Sequence, residues 1–125
     1  MISMKRTIIG FCLALLVGYW LLSLVNLPTL NVGLLKMRGF CRTCDLTNVN
    51  LEELDLHGAD LYFADLTDAT LKGANLTAAN LIRATLTGAN LSTTNLTGAD
   101  LAAANLARAN LAAVNLSAAN LIKTN

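Results

Sequence analysis

Few groups in this chain could carry chemistry. They are the pair Cys41 and Cys44 in a C-x-x-C, the single histidine His57, and the recurring acids Asp45, Asp55, Asp60, Asp65 and Asp100. A C-x-x-C binds metal, cycles between thiol and disulfide, or closes a small structural loop. Zinc requires four ligands, and beyond this pair the chain offers only His57 and Cys12, the latter inside an apolar run. No metal is expected on that count. A thioredoxin-like pair needs a βαβ context that this sequence lacks. Cys41 and Cys44 therefore read as a disulfide in an oxidising compartment or as packed thiols in a reducing one. His57, the only histidine, lies just after Leu56 in the outward register, so it reads as a solvated surface residue rather than a catalytic base. The five aspartates share one register with nine asparagines, which marks them as structural. No catalytic residue, no cofactor and no small-molecule substrate are expected, and the chain does not read as an enzyme.

The elements that position these groups follow from a period of five. Leucine occupies sixteen consecutive fifth positions from Leu46 to Leu121. Two residues before each leucine stands alanine eleven times, with Cys44, Val49, Leu54, Thr94 and Val114 as the exceptions. One residue before it stands Asn nine times, Asp five times and Thr twice. A helix repeats every 3.6 residues and a strand every two, so neither keeps these leucines on one side. A chain that bends once per unit does. Leucine and the small residue two before it then point inward, the rest face out, and coils stack about 4.8 Å apart. The composition agrees, since 54 % hydrophobic residues with 5 % aromatics make a narrow, regular core of leucine and alanine. Asn and Asp before each leucine suit corners, because their side chains bond nearby backbone and tolerate unusual dihedrals.

ADLTD at 64–68, ANLTA at 74–78 and ANLAR at 104–108 resemble the A(D/N)LXX unit of the pentapeptide-repeat family. The resemblance runs from Cys44 to the end of the sequence. It implies an all-β fold, a right-handed quadrilateral parallel β-helix with four repeats per coil and about four coils. The stretch CRTCDLTNVNL at 41–51 is similar to the start of cyanobacterial members, often preceded by a short capping helix.

Ahead of the repeats, Thr7–Val25 runs nineteen residues without a charge, enough for a helix of about 28 Å, the thickness of a bilayer core. Lys5 and Arg6 precede it. The run exceeds a signal-peptide core and no A-x-A-like site follows, so residues 1–25 read as a transmembrane anchor, with a signal peptide, cleaved or uncleaved, as the alternative. The flanking cations favour a cytoplasmic N-terminus and repeats on a periplasmic or lumenal side, although Lys36, Arg38 and Arg42 lie close enough on the other flank to weaken the asymmetry. Residues 26–43, with Pro28 and then Val32, Leu34, Leu35 and Met37, read as a linker and N-terminal cap, and 44–125 as the β-helix. Over 44–125 four cations against eight acids leave −4.

With four sides, residues twenty apart stack in columns. Three of the four outward pairs of columns hold mostly small or polar residues. The fourth aligns Tyr62, Ile82, Ala102 and Ile122 beside Phe63, Arg83, Ala103 and Lys123, which collects both aromatics of the repeats and both outward isoleucines. Tyr62, Phe63, Ile82, Arg83, Ile122 and Lys123 are thus the expected protein-docking face, being large apolar, aromatic and Arg residues aligned on an exposed surface. Two function classes follow. One is a non-catalytic, membrane-anchored scaffold or small accessory subunit holding a protein partner in a membrane complex, with no nucleic acid involved. The other is a DNA-mimicking regulator of DNA gyrase, which the family resemblance supplies. The anchor and the modest −4 fit the first class.

Overall fold

The computed structural model of this chain describes Val32, Leu35, Lys36 and residues 39–125. The expected anchor over residues 1–25 lies outside them, as does most of the linker. Among the described residues, no helix is long and apolar enough to cross a membrane.

From Phe40 onward the chain winds into a stack in which every bridge is parallel and joins residues twenty apart, from Phe40 with Asp60 through Asp45 with Asp65 to Asp100 with Asn120. Twenty residues per coil and one bend per five residues give four sides. The stack begins one unit before the boundary expected at residue 44. Cys41 donates its N–H to the Asp60 carbonyl (2.7 Å) and is 1 % exposed, in the same inward register as the leucines twenty and forty residues later.

In a repeat that carries Asn or Asp before its leucine and has a further coil below it, the five backbone N–H groups have five distinct destinations. The leucine N–H reaches forward to the next coil, as from Leu46 to the Asp65 carbonyl (2.7 Å), and so does the residue two later, as from Asn48 to Thr67 (2.9 Å). The residue before leucine reaches back, as from Asp65 to Cys44 (2.9 Å). The small inward residue closes the bend on the leucine three before it, as from Ala59 to Leu56 (3.0 Å). One donor remains, on the residue just after leucine. It goes to the side-chain oxygen of the Asn or Asp two residues earlier, as from Tyr62 to Asp60 (3.3 Å), Ile82 to Asn80 (3.2 Å) and Ala102 to Asp100 (3.0 Å). A buried or half-buried donor left unpaired costs stability, so this fifth bond explains the recurrent side chain.

One sequence expectation is corrected by this pattern. The Asn and Asp residues are not at the corners. They stand on the straight sides, in the bridges, and reach forward to cap the corner. The corner itself is made by the two variable residues after each leucine, and the second of them carries φ between 55° and 61° at thirteen positions occupied by residues other than glycine, Phe63, Arg83, Thr93 and Lys123 included. Positive φ at the third residue is the type II turn requirement, met more cheaply by glycine, as at Gly58 and Gly98.

The core is a column of leucines on each side interleaved with alanines. From Leu61 to Leu101 every inward leucine is fully buried. Thr94 takes one inward slot, and its hydroxyl donates to the Leu71 carbonyl (2.7 Å), which satisfies the polar group inside. At the upper end helical Val32 and Leu35 pack on the core, and Leu35 is 1 % exposed. In the last described coil Leu111 and Leu121 are 39 % and 42 % exposed, having a neighbouring coil on one side only.

Candidate functional site

Cys41 and Cys44 are joined as a disulfide across the first corner, with Cα atoms 5.3 Å apart. Both fill inward slots, Cys41 in the leucine position and Cys44 in the alanine position, so the bond staples the bend where the stack begins. Counting five back from Leu46 would have put Cys41 in that slot. His57 is exposed on a corner. Asp45 accepts the Thr47 N–H (3.0 Å) and the Thr47 hydroxyl (2.7 Å), and these bonds hold its carboxyl below the usual carboxylate range. Among the described residues, no group of His, Cys, Asp and Glu could hold a metal ion.

The six residues of the expected docking face fall on one corner of the stack. Their register is fixed by Phe63 N–H to Ile82 (3.0 Å), Arg83 N–H to Ala102 (2.9 Å) and Ala103 N–H to Ile122 (2.8 Å). The upper part is a ladder of rings and cations. The Arg42 guanidinium lies over the Tyr62 ring at 4.8 Å, Tyr62 meets Phe63 edge-on with centroids 4.9 Å apart, and Arg83 lies over Phe63 at 5.2 Å. Arg42 also pairs with Asp60 at 3.1 Å. Sequence reasoning missed Arg42, although twenty residues before Tyr62 is Arg42. Phe63 is 44 % exposed and Ile122 66 %, while Tyr62 and Ile82 are half-buried. A bulky residue at φ 57°, such as Phe63, costs about 1 kcal/mol relative to glycine's freedom there. That cost sits on the most prominent ring of the corner.

Charge is also sorted along the axis, because progress along the chain is progress down the stack. Seven of the eight acids lie between Asp45 and Asp68 with no Lys or Arg among them. Beyond residue 68, Lys72, Arg83, Arg108 and Lys123 face Asp100 alone. The first coils are anionic and the later ones cationic, a polarity that the −4 total conceals.

The geometry defines a class: a four-sided parallel β-solenoid with one aromatic and basic corner. Comparison with known proteins then places the chain within that class. The sequence profile of the pentapeptide repeats matches residues 41–73, 59–98 and 94–125, and the chain belongs to the pentapeptide-repeat family. Its structure is similar to a pentapeptide repeat protein from the Arabidopsis thaliana thylakoid lumen, at 35 % identity and a TM-score of 0.64. That match covers 72 % of this chain and 60 % of the plant protein, so this chain spans under two thirds of its relative's length. A pentapeptide repeat protein from the cyanobacterium Nostoc PCC 7120 is 37 % identical with a TM-score of 0.64, covering 69 % of this chain and 72 % of that one. No curated protein matches the chain.

Proposed function

We propose that this protein is a non-catalytic interaction module, a scaffold or small accessory subunit, that holds a protein partner on the corner running from Tyr62 and Phe63 to Ile122 and Lys123. The observation that carries this reading is the ladder of Tyr62, Phe63 and Arg83, held by ring and cation contacts on one corner whose counterparts on the other three corners are mostly small or polar. Rings and Arg are the residue types on which binding energy concentrates. The proposal includes a membrane tether formed by Thr7–Val25, with the repeats on a lumenal or periplasmic face. The charge-free length of that run supports the tether. The thylakoid-lumen location of the similar Arabidopsis protein and the Cys41–Cys44 disulfide support the lumenal side.

The experiment is capture from detergent-solubilised membranes with the tagged full chain, against a variant carrying Tyr62→Ser and Ile82→Ser. Loss of most of the captured partner is expected, with the thermal unfolding of the variant little changed. Undiminished capture overturns the docking reading. Protease protection of the repeats in sealed membrane vesicles tests the side independently.

A further inference from the structure

Below the aromatic ladder, the same corner has a notch. The outward pairs descend as Tyr62 and Phe63, Ile82 and Arg83, Ala102 and Ala103, then Ile122 and Lys123. One coil therefore carries only methyl groups between two coils carrying a branched apolar residue and a cation. Coils in register lie about 4.8 Å apart, so the flanking coils are about 10 Å apart and the gap admits one side chain. Ala103 is exposed and Ala102 half-buried at its floor.

The two cations beside the gap enter no ion pair among the described residues, whereas Arg42 pairs with Asp60 and Lys72 with Glu52 (3.2 Å). Arg83 is nonetheless held, because its guanidinium lies over the Phe63 ring. A guanidinium fixed by its face keeps its N–H edge for a carboxylate, the planar fork-on-fork pairing that Arg makes best. The nearby acid is Asp100, whose Oδ1 already accepts the Ala102 N–H (3.0 Å) and the Asn120 amide (3.0 Å). Its charge repels an anion on the flat of that side, which leaves the corner beside Arg83 and Lys123 as the place for one. The lower coils are net cationic, which steers an anionic partner to this end of the stack.

We propose that the notch over Ala102 and Ala103 receives a large apolar side chain of an acidic protein segment, with a carboxylate on one side of it bonded to Arg83 and another facing Lys123. This inference rests on the docking reading above and names the chemistry of the partner. A planar anionic lipid surface would meet the ridges at Ile82 and Ile122 and leave the notch empty. A nucleic acid running the length of the stack would meet the seven acids of the upper coils.

The test uses the full chain in detergent and a short, blocked, fluorescent peptide in which one leucine is flanked by glutamates. Control peptides replace the leucine by glycine or the glutamates by glutamines, and vesicles of phosphatidylglycerol and phosphatidylcholine form a separate arm. The leucine–glutamate peptide is expected to bind about tenfold tighter than either control, the scale of one buried aliphatic side chain or one charge-assisted bond. Ala102→Leu, which fills the notch, and Arg83→Gln with Lys123→Gln are each expected to remove about that factor, and added salt should affect only the glutamate peptides. Equal affinity for the three peptides, insensitivity to both kinds of variant, or recruitment to anionic vesicles without peptide binding overturns the proposal. If the peptides fail while Tyr62→Ser and Ile82→Ser still abolish partner capture, the acidic chemistry falls and the docking reading stands.

Discussion

Replacing one core leucine by alanine should cost very different amounts at Leu76 and at Leu121, although the two occupy equivalent slots of the repeat. Leu76 is fully buried, with Leu56 above it and Leu96 below in the same column. Alanine there removes three carbons and leaves a void that coils tied by hydrogen bonds above and below cannot close. Buried Leu→Ala changes of this kind cost about 3–5 kcal/mol. Leu121 is 42 % exposed and has a coil on one side only. About half of its transfer energy is at stake, and the space left opens to solvent, so the expected cost is about 1 kcal/mol. Urea unfolding followed by far-ultraviolet circular dichroism of the full chain reads the difference. With a slope of about 2 kcal/mol per molar urea, the Leu76→Ala midpoint should fall roughly 1–2 M below that of Leu121→Ala. Equal midpoints would refute the account of each coil as stabilised by the neighbours it touches.

Two further outcomes follow from the hydrogen-bond pattern and the staple. Thr70 and Thr85 occupy the slot of the capping Asn or Asp, and among the described residues no side chain bonds to the N–H of Lys72 or Thr87, so Thr85→Asn is expected to stabilise by about 0.5–1 kcal/mol. Asn80→Ala loses both the Ile82 N–H and the bond to Asp60 (3.1 Å) and should cost about 1–2 kcal/mol, both changes being read from thermal unfolding. Reducing the Cys41–Cys44 bond opens a loop of separation 3, for which chain entropy gives about 2 kcal/mol. Amide exchange should show the loss confined to the first coil; uniform loss of protection down to Leu101 would contradict it.

That Tyr62, Ile82 and Ile122 share one corner was legible in the sequence, because with four sides a count of twenty residues aligns them. The same counting reaches Arg42 and Cys41, and the reading stopped short of them only by starting the stack at Cys44. The capping of corners by Asn and Asp was half legible. Their affinity for nearby backbone pointed to a bend, but chemistry alone does not distinguish standing at a bend from reaching into it.

The sequence by itself determined the period, the inward register and hence the column in which each outward residue stands. In a solenoid these are one-dimensional facts, fixed by which residues recur and how often. The tertiary structure decided the rest: that Asn80 and Asp60 bond forward, that Phe63 adopts positive φ, and that Arg42 pairs with Asp60 while Arg83 rests on Phe63 with no carboxylate paired to it among the described residues. Those outcomes depend on torsions chosen among neighbours twenty residues away. No local spacing records them.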